Sequence, residues 1–150
     1  MHVLGLCVAL LVSGASSDSR GEHALKYTRS GGWRGMNQAL EVKNLRTVVV
    51  MEDGLTKSTR PMKPPEAQHL KKLLRDARSS RLLEDKLKGK LADGFEVTLT
   101  FDGESKPALL RDALTFPPTG AGPAWDALVK QLDLMLEKEL KGPPPKTKKR

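Results

Sequence analysis

The chain has 150 residues, 38% hydrophobic and 29% charged, which suits one domain with one modest core and leaves too little apolar material for two. Aromatic residues are only 4%, so Leu, Val and Ala must fill most of that core. The formal charge is +8, but the terminal KGPPPKTKKR carries five positive charges and no negative one; the excess is largely a property of a tail and is weak support for nucleic acid.

The apolar run VLGLCVALLV at residues 3–12 is too short for a bilayer, which needs roughly 20 residues. It leads into SGASSDS, where Ser13 and Ala15 meet a small-x-small cleavage rule. Residues 1–15 therefore read as a secretory signal peptide, with only His2 in its n-region. The protein is expected to be secreted or periplasmic, and cytoplasmic if this leader is not a signal peptide. Cys7, the single cysteine, lies in the leader and follows no lipobox; it allows no internal disulfide. Residues 16–22 are small and polar and read as a linker. The domain proper spans 23–141, and 142–150 reads as a disordered basic tail.

Within the domain, residues 23–29 alternate, with Leu25 and Tyr27 on one face and Lys26 and Thr28 on the other, as in a half-buried strand. A Gly-Gly turn follows. Residues 40–52 read as a second strand, strongest in TVVVM, whose β-branched run suggests burial on both faces. Asp53 and Gly54 close it, and residues 55–63 read as a loop. Pro64, Pro65 and Glu66 open a helix, because proline fits the first turn and glutamate suits the positive end of the dipole. Its apolar stripe is Ala67, Leu70, Leu73, Leu74 and Ala77, and Ser79-Ser80 ends it. A further short helix is expected over residues 82–91.

Phe95, Val97, Leu99 and Phe101 alternate with polar neighbours in the clearest amphipathic strand of the chain. Asp102-Gly103 signals a hairpin. The returning strand, residues 106–116, should place Ala108, Leu110, Leu114 and Phe116 on one face, with Pro107 putting its start at an edge. After a Pro/Gly loop, Pro123 begins a last helix with Trp125, Leu128, Val129, Leu132, Leu136 and Leu140 as its buried stripe. The order predicts an α+β fold: a four-stranded antiparallel sheet with two main helices packed on one face.

The residues offer little chemistry. The histidines are His2, His23 and His69; there is no H-E-x-x-H, and one cysteine cannot build a thiolate zinc site. There is no G-x-S-x-G elbow, and the carboxylates Asp53, Asp102, Glu104 and Asp112 show no pairing. Gly31, Gly32 and Gly35 precede a strand, not a helix, which argues against a phosphate cradle. No enzyme, cofactor or metal is expected, which leaves a binding module. Two readings of YTRSGGWRG stay open. In one, the glycines supply positive φ and Trp33 folds back as core. In the other, the turn holds Trp33, Arg34 and Met36 out to a partner, Trp and Arg being the residues that dominate hot spots.

The stretch Arg29-Ser30-Gly31-Gly32-Trp33-Arg34-Gly35, the P-P-E-A-x-x-L-x-x-L-L helix start at 64–74, the F-x-V-x-L strand at 95–99 and a closing helix together resemble the emfourin (protealysin inhibitor) family of thermolysin-like metallopeptidase inhibitors. The resemblance covers about residues 23–140. Trp33 stands where phenylalanine is usual, and the leader and basic tail look like additions to the family pattern. The resemblance implies a non-enzymatic, competitive inhibitor, expected to be a monomer, whose partner is a thermolysin-like metallopeptidase. Arg29, Ser30, Gly31, Gly32, Trp33, Arg34, Gly35 and Met36 would form the partner-binding surface, with the 117–123 loop in support. The alternative is an exported structural or surface-binding protein that makes a weak contact with anionic surfaces through its basic tail; no nucleic acid is expected.

Overall fold

The computed structural model describes residues 24–83, 94–102 and 104–142. The expected signal peptide, the linker, residues 84–91 of the expected second short helix, Gly103 and residues 143–150 of the tail lie outside the described residues. Eight elements follow in chain order: strands β1 (Leu25–Gly31), β2 (Met36–Lys43), β3 (Thr47–Glu52) and β4 (Leu55–Pro61), helix α1 (Pro64–Arg78), strands β5 (Phe95–Phe101) and β6 (Leu109–Ala113), and helix α2 (Pro123–Lys141). The fold is α+β, and the antiparallel sheet has six strands rather than the four expected, in the order β4-β3-β2-β1-β5-β6.

Both extra strands come from the region between the Gly-Gly turn and α1. The expected single strand over 40–52 is two strands of a hairpin, β2 and β3. Asn44 and Leu45 both take positive φ, at 52° and 49°, and the Arg46 amide donates to the Lys43 carbonyl at 3.0 Å. This tight turn has the twist that antiparallel hairpins favour. The expected loop over 55–63 is mostly β4. Asp53 (φ 52°) and Gly54 (φ 78°) turn the chain back so that Glu52 pairs with Leu55.

One face of the sheet is buried. Leu25 and Tyr27 of β1, Leu40 and Val42 of β2, Val48 and Val50 of β3, Val97, Leu99 and Phe101 of β5, and Leu109 of β6 join one cluster with the helix stripes. The stripes fall where the periodicity places them: Leu70 and Ala77 of α1 are buried, and Trp125, Leu128, Val129, Leu132 and Leu136 of α2 are buried. Burying such side chains stabilises by about 1.5–3 kcal/mol each. Val49, expected to be buried on the second face, is only half-buried, because no described element covers that side of β3.

Over β6 itself the phase of the last strand is the reverse of the expected one. Leu109, Arg111 and Ala113 face the core, while Leu110 and Leu114 are 57% and 67% exposed. Pairing decides this: Leu109 and Arg111 register with Leu99 and Val97, whose side chains are already committed to the core. Period-2 alternation then turns Leu110 outward within β6, while Ala108 and Phe116, which lie outside the strand, still pack against the core as expected. The buried Arg111 is accommodated because its guanidinium donates to the carbonyls of Leu83 and Gly120, at 2.6 and 2.8 Å. β6 lies at the sheet edge, as Pro107 suggests. Asp102 does not open a two-residue hairpin, since β6 begins only at Leu109.

Candidate interaction surface at the turn end of the sheet

Register places two turns and two strand ends at one end of the sheet: the β1–β2 turn, the β3–β4 turn, the start of β5 and the exit from β6. The β1–β2 turn is residues 32–35, closed by the Gly35 amide donating to the Gly32 carbonyl at 3.0 Å. Gly31, Gly32 and Gly35 take φ of 105°, 70° and 64°. At Gly31 the glycine is needed twice over. Its φ disfavours any side chain, and a Cβ there would lie 2.9 Å from the Gly94 carbonyl oxygen. The Gly32 amide donates to that same carbonyl at 3.1 Å, tying the turn to β5.

Trp33 does not fold back as core. Trp33 is 80% exposed, and the Arg34 guanidinium stacks 4.5 Å from its ring centroid. Such a pair presents a broad, flat, partly cationic surface. Arg34 and Gly35 are exposed, and Ser30, Gly31, Gly32 and Met36 are partly buried around the base of the turn.

Arg29, grouped with these residues by sequence, is not part of that surface. It is 3% exposed and points to the core face of β1. Its guanidinium donates to Asp133 Oδ1 at 3.0 Å and to Glu137, both on α2, and its Nε donates to Gln38 at 2.7 Å. The Tyr27 hydroxyl also donates to Asp133 Oδ1, at 3.0 Å, and Gln38 donates to Glu52 at 2.9 Å. The network spans β1, β2, β3 and α2, so it braces the strands that carry the turn against the last helix. Burial, reinforced by the Asp133 carboxylate, pushes the Tyr27 hydroxyl well above the usual tyrosine range. Hydrogen bonding from Arg29 holds the Glu137 carboxyl below the usual carboxylate range.

Sequence reading missed this network. The available signal was Asp133 and Glu137, an i, i+4 acidic pair set among the apolar positions of α2.

The residues after β6 also reach the turn's base. Phe116 packs on Phe95 with centroids 4.7 Å apart, and the Arg29 guanidinium lies 4.6 Å from its ring centroid. Further along, Asp126 of α2 accepts the amides of Gly120 and Ala121 at 3.0 and 2.9 Å, fixing the loop. The 117–123 segment is thus held by α2.

At the opposite end of β4, a groove of about 780 Å³ runs between the start of α1 and α2. Its main cation, Arg60, is committed to Glu66 at 2.7 Å and Glu139 at 2.5 Å. His69 is an exposed residue of α1. Among the described residues no three His, Cys, Asp or Glu side chains lie together as a metal site would require, and no helix is long and apolar enough to cross a membrane. Compared with family models, curated proteins and solved structures, the chain finds no match.

Proposed function

We propose that this protein is a secreted or periplasmic, monomeric inhibitor of thermolysin-like zinc metallopeptidases, acting without chemistry of its own by lodging the β1–β2 turn in the enzyme's active-site cleft. The observation that carries the reading is Trp33, 80% exposed at the tip of a four-residue turn and stacked by Arg34. Trp and Arg are the side-chain types most enriched among interface hot spots, and here they stack as a pair at the tip. The turn is short and tied to β5, so it loses little conformational freedom when bound. A tip held in one geometry can also fill an apolar subsite without offering a scissile bond in line for attack.

The test is to titrate a thermolysin-like peptidase with the full chain and with Trp33→Ala. The full chain should inhibit competitively at micromolar concentration or below. Trp33→Ala should lose about 2 kcal/mol or more of binding, as hot-spot aromatics do, which is roughly a thirtyfold rise in Ki. A peptidase from the same organism left fully active by micromolar wild-type protein overturns the proposal.

A further inference from the structure

Six large hydrophobic side chains are exposed among the described residues: Trp33, Leu55, Leu83, Leu110, Leu114 and Leu134. Their placement is uneven. Trp33 sits on the β1–β2 turn, Leu55 directly follows the β3–β4 turn, and Leu114 directly follows β6; all three lie at the same end of the sheet. At the other end, the β2–β3 turn carries Asn44 and Arg46, and the β5–β6 connection carries Asp102, Glu104 and Lys106. None of the six lies there, and Leu45 of that turn packs on the core instead.

We infer that the partner-binding surface is the whole turn end of the sheet, a ridge with Trp33 at its centre and Leu55 and Leu114 as flanking anchors. The inference rests on the peptidase-inhibitor reading and extends it to the shape of the partner's site. Strands lie ~4.8 Å apart, so the strand order sets Leu55's hairpin roughly 10 Å to one side of Trp33's hairpin and Leu114 about 12 Å to the other. The matching partner is an elongated cleft, with apolar subsites on both sides of the one that takes Trp33.

The ridge is prepared for this use. The Asp53 amide donates to the Asn37 carbonyl at 2.8 Å, tying the Leu55 turn to β2. The Gly32–Gly94 bond ties the Trp33 turn to β5, and the Phe95–Phe116 contact ties the chain after Leu114 to the same strand. Three anchors on segments bound to one another arrive in register, so the second and third contacts cost little further ordering.

The experiment measures Ki for the full chain and for Leu55→Ala, Leu114→Ala and Leu134→Ala against a thermolysin-like peptidase. Leu134, exposed on α2 away from the turns, is the control. Thermal melts should be unchanged in all three variants. Leu55→Ala and Leu114→Ala should each raise Ki roughly tenfold, the scale of a real interface anchor, while Leu134→Ala stays within about twofold. Flanking variants equal to the control, with Trp33→Ala alone impaired, would overturn the ridge and leave the inhibitor reading standing. A wild-type chain that does not inhibit overturns both. Light scattering that shows a dimer dispersed by Leu55→Ala or Leu114→Ala would instead assign the ridge to a second copy of this chain, and the inference fails.

Discussion

Arg29 of β1 and Asp133 of α2, 104 residues apart in sequence, face each other at 3.0 Å with side chains only 3% and 7% exposed. Two opposite charges with so little water around them are tolerable only because further groups share the load. Gln38, Glu137 and the Phe116 ring complete the surroundings of Arg29, and Tyr27 completes those of Asp133. Removing one partner strands the other. Asp133→Ala should cost about 3–5 kcal/mol in urea unfolding, as broken buried pairs do. Replacing both, as Arg29→Met with Asp133→Leu, should recover most of that loss. A double variant as unstable as the single one would show that the pair does more than neutralise itself.

The glycines of the β1–β2 turn should differ in their tolerance. Gly35 has φ of 64° and open space where a Cβ would go, so Gly35→Ala should cost only the left-handed backbone penalty of about 1–2 kcal/mol. Gly31→Ala adds a clash with the Gly94 carbonyl oxygen, which is backbone and cannot swing aside. Its destabilisation in urea should clearly exceed that of Gly35→Ala. Equal losses would mean that the Gly31–Gly94 approach is not kept in solution.

Tyr27 is the chain's only tyrosine, so absorbance near 295 nm reads it directly. Its hydroxyl is buried against a carboxylate, which favours the neutral form in the folded protein. An exposed tyrosine ionises near pH ~10. Here the neutral form is favoured on folding, so stability is full below that value and falls as pH rises above it. Tyrosinate absorbance should therefore appear only together with loss of the circular dichroism signal. A clean ionisation near pH ~10 with the fold intact would contradict the Tyr27–Asp133 bond.

Acid should act in the opposite sense on Glu66 and Glu137. Hydrogen bonds from Arg60 and Arg29 respectively hold these carboxyls below the usual range. Each binds fewer protons folded than unfolded. Their contribution is therefore present above the unfolded value of ~4.3 and is lost as pH falls through the lower, folded one. Urea midpoints should decline from about pH 5 downward. Glu137→Gln should be less stable than wild type near neutral pH and should show a shallower decline in acid. An unchanged acid limb would place the Arg29–Glu137 contact outside the folded state's energetics.

What could be read from sequence depended on whether turns and core positions carried their usual residues. Both helices follow from proline starts and stripes of leucine and alanine, and the structure keeps those stripes. The β2–β3 hairpin escaped because its turn is Asn44-Leu45; leucine at positive φ gives no glycine signal. β4 escaped because its core-facing residues, Ser58 and Arg60, are polar. They are satisfied by Glu139 and Glu66 on the helices, partners that no local pattern reveals. β6 was read in the wrong phase for the same reason, since Arg111 occupies an inward position. At the turn, Trp33 could be singled out from sequence but not oriented. Arg29 was misassigned because an arginine beside a glycine turn resembles a surface residue until its acidic partners, a hundred positions later, fold over it.

The strand order has a consequence for how the protein is assembled. β4, β3, β2 and β1 form a simple meander that neighbouring residues can zip up quickly, but β1 sits inside the sheet, and its second neighbour β5 comes some 70 residues after it, as Thr28 beside Thr98 shows. Pairings between distant segments close late, because a long loop must be organised first. The nascent meander would therefore carry an unpaired inner border while the rest of the chain is being synthesised. The Trp33 knuckle would acquire its final bracing only when α2, the last of the described elements, lays Asp133 and Glu137 across Arg29. A half-made copy would thus lack a set turn, and the bracing of that turn would arrive with α2 rather than by degrees.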